Sequence, residues 1–125
     1  MSSSQRRDDS LDVPRNFSLS TDERVRAIAT GPLAYMRRLR SIEDLEESLV
    51  RMLVEDPRAT APVREALEKL NDLIARHNRW YPIEANLPMH LRTGELIDRT
   101  GRPFRPMAPR TLEELMARAE ARARA

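Results

Sequence analysis

Between Val63 and Tyr81 the apolar side chains recur at steps of four and three: Val63, Leu67, Leu70, Ile74, His77 and Tyr81. Such steps hold one face of a helix, and this seam predicts a helix over 61–80. Thr60 or Ala61 begins it and Pro62 sits in its first turn, where a missing N–H costs nothing. Glu65 with Lys69 and Asp72 with Arg76 are acid-before-base pairs four residues apart, which marks the opposite, solvated face.

A second stripe runs through Tyr35, Leu39, Ile42, Leu45, Leu49, Met52 and Leu53 and predicts a helix over 33–55, stopped by Asp56-Pro57. Ser41 is able to cap a break within it. Before it, Ser20 and Glu23 have capping-box spacing, and a short helix over 21–29 is expected to end at Gly31, with Pro32 opening the next. The two long stripes are too short to demand a long coiled coil, so their simplest packing is an antiparallel helical hairpin.

After Tyr81 the period is lost. Pro82, Pro88, Pro103, Pro106 and Pro109 exclude a long helix before residue 110. Two Arg-Thr-Gly turns, ending at Gly94 and Gly101, flank Glu95–Asp98, so short strands at 89–92 and 95–98 are able to form a small β-hairpin. Thr111 and Glu114 then open a last helix over 112–123, with Leu112, Leu115, Met116 and Ala119 on its apolar face and Arg118, Arg122 and Arg124 suited to its C-terminal dipole. The expected fold is therefore mainly α: a helical hairpin with short flanking helices and a proline-rich irregular segment. Residues 1–18, polar and without period, read as a flexible arm, and 19–125 as one small helical domain.

Composition narrows the function classes. The 125 residues contain no cysteine, which removes disulfides and thiolate chemistry. Lys69 is the only lysine, so arginine carries nearly all the positive charge. The N-terminus lacks the apolar core of a signal peptide, and no apolar run approaches the ~20 residues of a membrane helix, so a cytoplasmic protein is expected. No phosphate-binding glycine loop, zinc-protease motif or nucleophile elbow is present.

The chemistry-bearing residues gather after residue 77. The stretch HNRWYPIEANLPMH holds both histidines and the only tryptophan. His77 on the seam is expected to close the helix end through its ring nitrogens. With Glu84 and His90 it offers a second reading, a small enzyme or metal centre, although their spacing matches no compact ligand motif and no catalytic, metal or cofactor assignment follows from it. Tyr81 continues the seam, whereas Trp80 leaves it by about 100° and is a candidate interface anchor. Glu84 and Asn86, between Pro82 and Pro88, are expected on the outer edge of a stiff loop, with pairing of Glu84 to an arginine and a turn at Asn86 as their structural alternative. Arg99, Arg102 and Arg105 would line one edge of a polyproline II segment, an arginine rail for phosphates or carboxylates or else a rigid solvated linker.

The reading that gathers most of these features is a non-enzymatic interaction or adaptor module. It presents the 77–105 segment to a protein partner through Trp80, Glu84, Asn86, Arg99, Arg102 and Arg105. A nucleic-acid-associated regulator using the 99–105 rail is the main alternative, and a homodimer through helical faces is compatible with either.

Overall fold

The computed structural model describes residues 20–125, so the arm expected over 1–18 lies outside the described residues. The described chain is mainly helical, with three helices in the order α1 (Thr21–Glu55), α2 (Thr60–Glu84) and α3 (Leu112–Arg124), and it contains no strands. Both capping boxes form. Ser20 accepts from the Glu23 backbone while the Glu23 carboxylate accepts from the Ser20 N–H, and Thr111 and Glu114 repeat the exchange at α3.

The short first helix and the 33–55 helix are one continuous helix of 35 residues, with no break at Ser41. Gly31 does not end it. Only Gly94 and Gly101 among the glycines adopt positive φ, and Gly31 is instead buried where α1 meets the end of α2. A Cβ built on Gly31 would lie 2.2 Å from the Glu84 carbonyl oxygen and 2.8 Å from its carbon. The glycine is there because two backbones touch, not because the chain turns. Pro32, inside the helix, removes one donor from the ladder, and Tyr35 and Arg38 one and two turns later hold that part of α1 to α2.

The described core follows both stripes with three corrections. Ile42, Leu49, Val50 and Leu53 of α1 and Val63, Leu67, Leu70 and Ile74 of α2 are buried together with Leu112, Leu115 and Ala119 of α3. Met52 and Met116, assigned to apolar faces, are exposed, and Val50 takes the buried place beside Leu49. Flexible thioethers at the rim leave branched side chains to fill the interior. Residues early in α1 meet residues late in α2, whereas α3 lies mainly against α1.

Helix α2 runs four residues past the expected end at residue 80, through Pro82 to Glu84. Its end is a Schellman closure: Leu87 N–H bonds to the Pro82 carbonyl (3.0 Å) and Asn86 N–H to that of Ile83 (3.0 Å), with Asn86 at φ 51° in the left-handed position. Buried Leu87 supplies the apolar contact that accompanies this motif.

Two asparagines on α2 then capture the returning chain. Asn78 donates to the Met107 carbonyl (2.9 Å) and accepts from the Met107 N–H (2.8 Å). Asn71 does the same with Arg110, at 3.0 Å and 2.8 Å. Seven helical residues rise ~10.5 Å and three polyproline residues ~9.3 Å, so the two amides match an extended chain in register.

Opposed tendencies meet at Gly31. Helix propensity alone favours alanine there by about 1 kcal/mol, whereas the contact with the Glu84 carbonyl requires a backbone shift. Gly31→Ala is expected to destabilise the fold by roughly 1–3 kcal/mol, measured by denaturant unfolding. A gain in stability would mean that α1 and the end of α2 do not touch.

Candidate functional site

The end of α2 is organised around Arg38, reaching across from α1. Its Nη1 donates to Glu84 Oε2 (3.2 Å), its Nη2 pairs with Glu84 Oε1, and its Nε donates to His77 Nδ1 (3.2 Å). The side chains of Arg38 and Glu84 are only 11% and 8% exposed. One guanidinium therefore spends its planar fork on a carboxylate and its remaining edge on an imidazole. Because Nδ1 accepts, His77 carries its proton on Nε2. Burial, and secondarily the Arg38 charge, pulls its pKa down to about 4 from 6.5. The neutral ring stacks on Tyr81 at 5.1 Å between centroids. Tyr81 meets Tyr35 edge-on at 4.9 Å and lies over Phe104 at 5.8 Å, so α1, α2 and the 85–111 segment share one aromatic stack.

This overturns the loop placement of Glu84. It is a buried helical residue with an arginine partner, because α2 continues through Pro82. Asn86 is exposed and shapes the helix end, and Trp80 is half-buried. Nor do His77, Glu84 and His90 converge. His90 is exposed, and its Nδ1 accepts from the backbone of Arg92 (3.2 Å) and Thr93 (3.3 Å), closing its own turn. Among the described residues no group of three histidines or carboxylates is placed to hold a metal.

From Leu87 to Phe104 the chain makes two tight turns. His90 N–H bonds to Glu95 O (2.7 Å) and Gly94 N–H to His90 O (2.8 Å), around an antiparallel bridge between Met89 and Leu96. Asp98 closes the second turn, accepting from Thr100 N–H (2.8 Å), the Thr100 hydroxyl (2.6 Å) and Arg102 N–H (3.1 Å), beneath a bridge between Ile97 and Pro103. The Thr100 hydroxyl first, and the Arg102 N–H next, hold the Asp98 carboxyl below its usual range. A single isolated bridge, Met89 to Leu96, stands where strands over 89–92 and 95–98 were expected, since Pro88 beside it donates nothing to a ladder.

The second turn also bends the arginine rail. Residues 98–103 are not polyproline II, so Arg99, Arg102 and Arg105 do not share one straight edge. All three are exposed. Arg99 donates to the Tyr35 hydroxyl (3.1 Å), while Arg102 and Arg105 rim an open cleft of about 530 Å3 floored by Tyr81, Pro103 and Phe104.

Leu91 carries no motif that assigns it a role. It is 103% exposed at the tip of the first turn, next to half-exposed Met89 and exposed Arg92. Its signal is its place between His90 and the Arg-Thr-Gly turn, where an apolar side chain has nothing to pack on. Arg38 carries no local signal because its partners lie 39 and 46 residues away, and Asn71 and Asn78 carry none because their partners are backbone atoms. No protein-family model, curated protein or solved structure matches this chain.

Two measurements test the Arg38 centre. Glu84→Gln keeps the shape and removes the charge, leaving a buried guanidinium without its counter-charge, and is expected to cost roughly 3 kcal/mol. A cost below about 1 kcal/mol, usual for exposed sites, would place the pair in solvent. For His77, the unfolded chain takes up a proton below pH 6.5 whereas the folded one resists until about pH 4. The stability contribution is thus complete above pH 6.5 and lost as pH falls towards 4. His77→Gln, which still accepts from Arg38 but does not titrate, is expected to flatten the fall of the thermal midpoint across that window. An unchanged slope would assign the acid sensitivity elsewhere.

Proposed function

We propose that this protein is a non-enzymatic interaction module whose recognition element is the 87–105 segment, with α1 and α2 as an antiparallel hairpin that holds it rigidly. The observation that carries the reading is Leu91, fully exposed at the tip of a hydrogen-bonded turn. An apolar anchor on a fixed turn loses little conformational freedom when it enters a partner's pocket.

The charges around it describe the partner. Arg92, Arg99, Arg102 and Arg105 are exposed on the same segment. Its two carboxylates are engaged locally, Glu95 with Thr93 and Asp98 with Thr100. The segment therefore presents arginine outward, which suits an acidic protein surface with an apolar pocket. Glu84 and Asn86 fix the end of α2 from which this segment departs, and the arginines rather than Trp80, Glu84 and Asn86 carry its polar contacts. The protein is proposed to act in the cytoplasm. Among the described residues no helix is long and apolar enough to cross a membrane.

Capture from native lysate, with and without nuclease, tests the reading. Leu91→Ser is expected to leave the unfolding midpoint within error, as an exposed substitution, and to reduce capture of the partner at least about tenfold, corresponding to ~1.4 kcal/mol. Capture abolished by nuclease, with a steep salt dependence that flattens on changing Arg99, Arg102 and Arg105 to glutamine, would instead support the nucleic-acid reading. Undiminished nuclease-resistant capture by Leu91→Ser would remove the turn as the anchor.

A further inference from the structure

The first half of α1 carries apolar side chains that nothing in the described chain covers. Val25, Leu33 and Met36 are 60%, 63% and 60% exposed, and Ala29 and Pro32 between them are exposed as well. At about 100° per residue, Val25, Ala29, Pro32 and Met36 fall on one narrow stripe with Leu33 at its edge. The stripe points away from Gly31, Tyr35, Arg38 and Ile42, which face the rest of the fold. Steps of four, three and four are those of a helix that packs on another helix, and a contiguous exposed apolar face marks an interaction surface.

That spacing reads the same from either end. If two copies of α1 lie antiparallel about a two-fold axis between Ala29 and Pro32, Val25 of one copy meets Met36 of the other, and Ala29 meets Pro32. The small residues fall at the centre, where they let the helix axes approach, and the larger ones at both ends. Two flanking charges fall within one residue of the same symmetry. Asp22 borders the stripe at its start and Arg40 at its finish, so an antiparallel pairing sets Asp22 of each copy beside Arg40 of the other. A parallel pairing would set like beside like. Arg40 has an intrahelical neighbour, Asp44, but only at 4.0 Å with both side chains solvated, and such a pair holds its partners weakly.

We propose that this face is a self-association surface occupied by a second copy of the chain in antiparallel, two-fold arrangement. Its contact is isologous and closes at two subunits. A patch of this length lies at the small end of specific interfaces, so dissociation in about the micromolar range is expected. The proposal does not rest on how the Leu91 turn is used.

The absence of cysteine from the chain permits a direct geometric test. Full-length Val25→Cys and Met36→Cys are mixed and oxidised near the dissociation constant. The mixed disulfide between the two variants is expected to dominate over either variant linked to itself. In sedimentation equilibrium the unaltered chain should show a reversible monomer–dimer transition. Met36→Glu should weaken it at least about tenfold, with no loss of the unfolding midpoint measured on dilute monomer. Asp22→Arg should also weaken association, and adding Arg40→Asp should restore it. A strictly monomeric chain, self-linked disulfides in excess, or no rescue by the double exchange would each overturn the proposal. So would binding of the stripe to anionic vesicles without dimerisation, which would make it a membrane-surface face.

Discussion

Arg38 is the residue on which the arrangement of the two long helices depends. A guanidinium buried without partners would cost more than a small core can supply, so its position obliges Glu84 and His77 to be where they are. Glu84 reaches that point only because α2 continues through Pro82, and α1 comes close enough only because position 31 has no side chain. One ion pair, one glycine and one tolerated proline thus specify the same meeting point. Apolar seams alone would permit neighbouring registers. A fork that must find both carboxylate oxygens and an imidazole nitrogen admits far fewer.

The Asn71 and Asn78 clasps extend this logic to a segment without regular structure. Residues 105–110 have no neighbouring strand to satisfy their backbone groups, and three prolines in and beside them remove donors. Each asparagine amide offers one acceptor and one donor in a plane, as a strand would. The clasped chain leads directly to Thr111 and the capped α3, whose Arg118 and Arg122 then bind Glu46 and Glu47 of α1. Arg110 joins the same Glu46 at 3.2 Å. Charges that resemble dipole complements on an isolated helix are here used to fix it laterally.

What could be read from the sequence divides along the range of the interactions. The seam from Val63 to Ile74, the stripe through Ile42, Leu49 and Leu53 and both capping boxes were legible, because each depends on residues a few positions apart. The end of α1's supposed first segment was misread at Gly31, and the end of α2 at Pro82, because glycine and proline are ambiguous without a third partner. Glycine signals a turn or a close approach, and only Glu84, distant in sequence, decides which. For the same reason the Arg38 fork was invisible and Glu84 was placed in a loop. Of the residues read as anchors of a candidate surface, Trp80 is half-buried and Glu84 buried in α2, whereas Leu91, which carries no local signal beyond its place at a turn, is the exposed one.

This division between foundation and tip bears on how the segment from 87 to 104 would recognise anything. Its start is fixed by the Schellman closure and Leu87, its end by the aromatic stack on Phe104 and by the Asn78 clasp at Met107. Between these anchors the turns satisfy their own acceptors: Asp98 and His90 both face inward to backbone N–H groups. A loop that hydrogen-bonds its carboxylates internally while leaving arginines and one leucine outside has a directional surface, although the chain as a whole carries a net charge of only +2. In the interaction role proposed for it, such a surface would draw selectivity from geometry at the tip and charge around it. The same separation explains why an element with almost no regular secondary structure can be held in one shape: Asp98, His90 and the turn backbone are hydrogen-bonded within it, and Phe104 stacks on Tyr81 of α2.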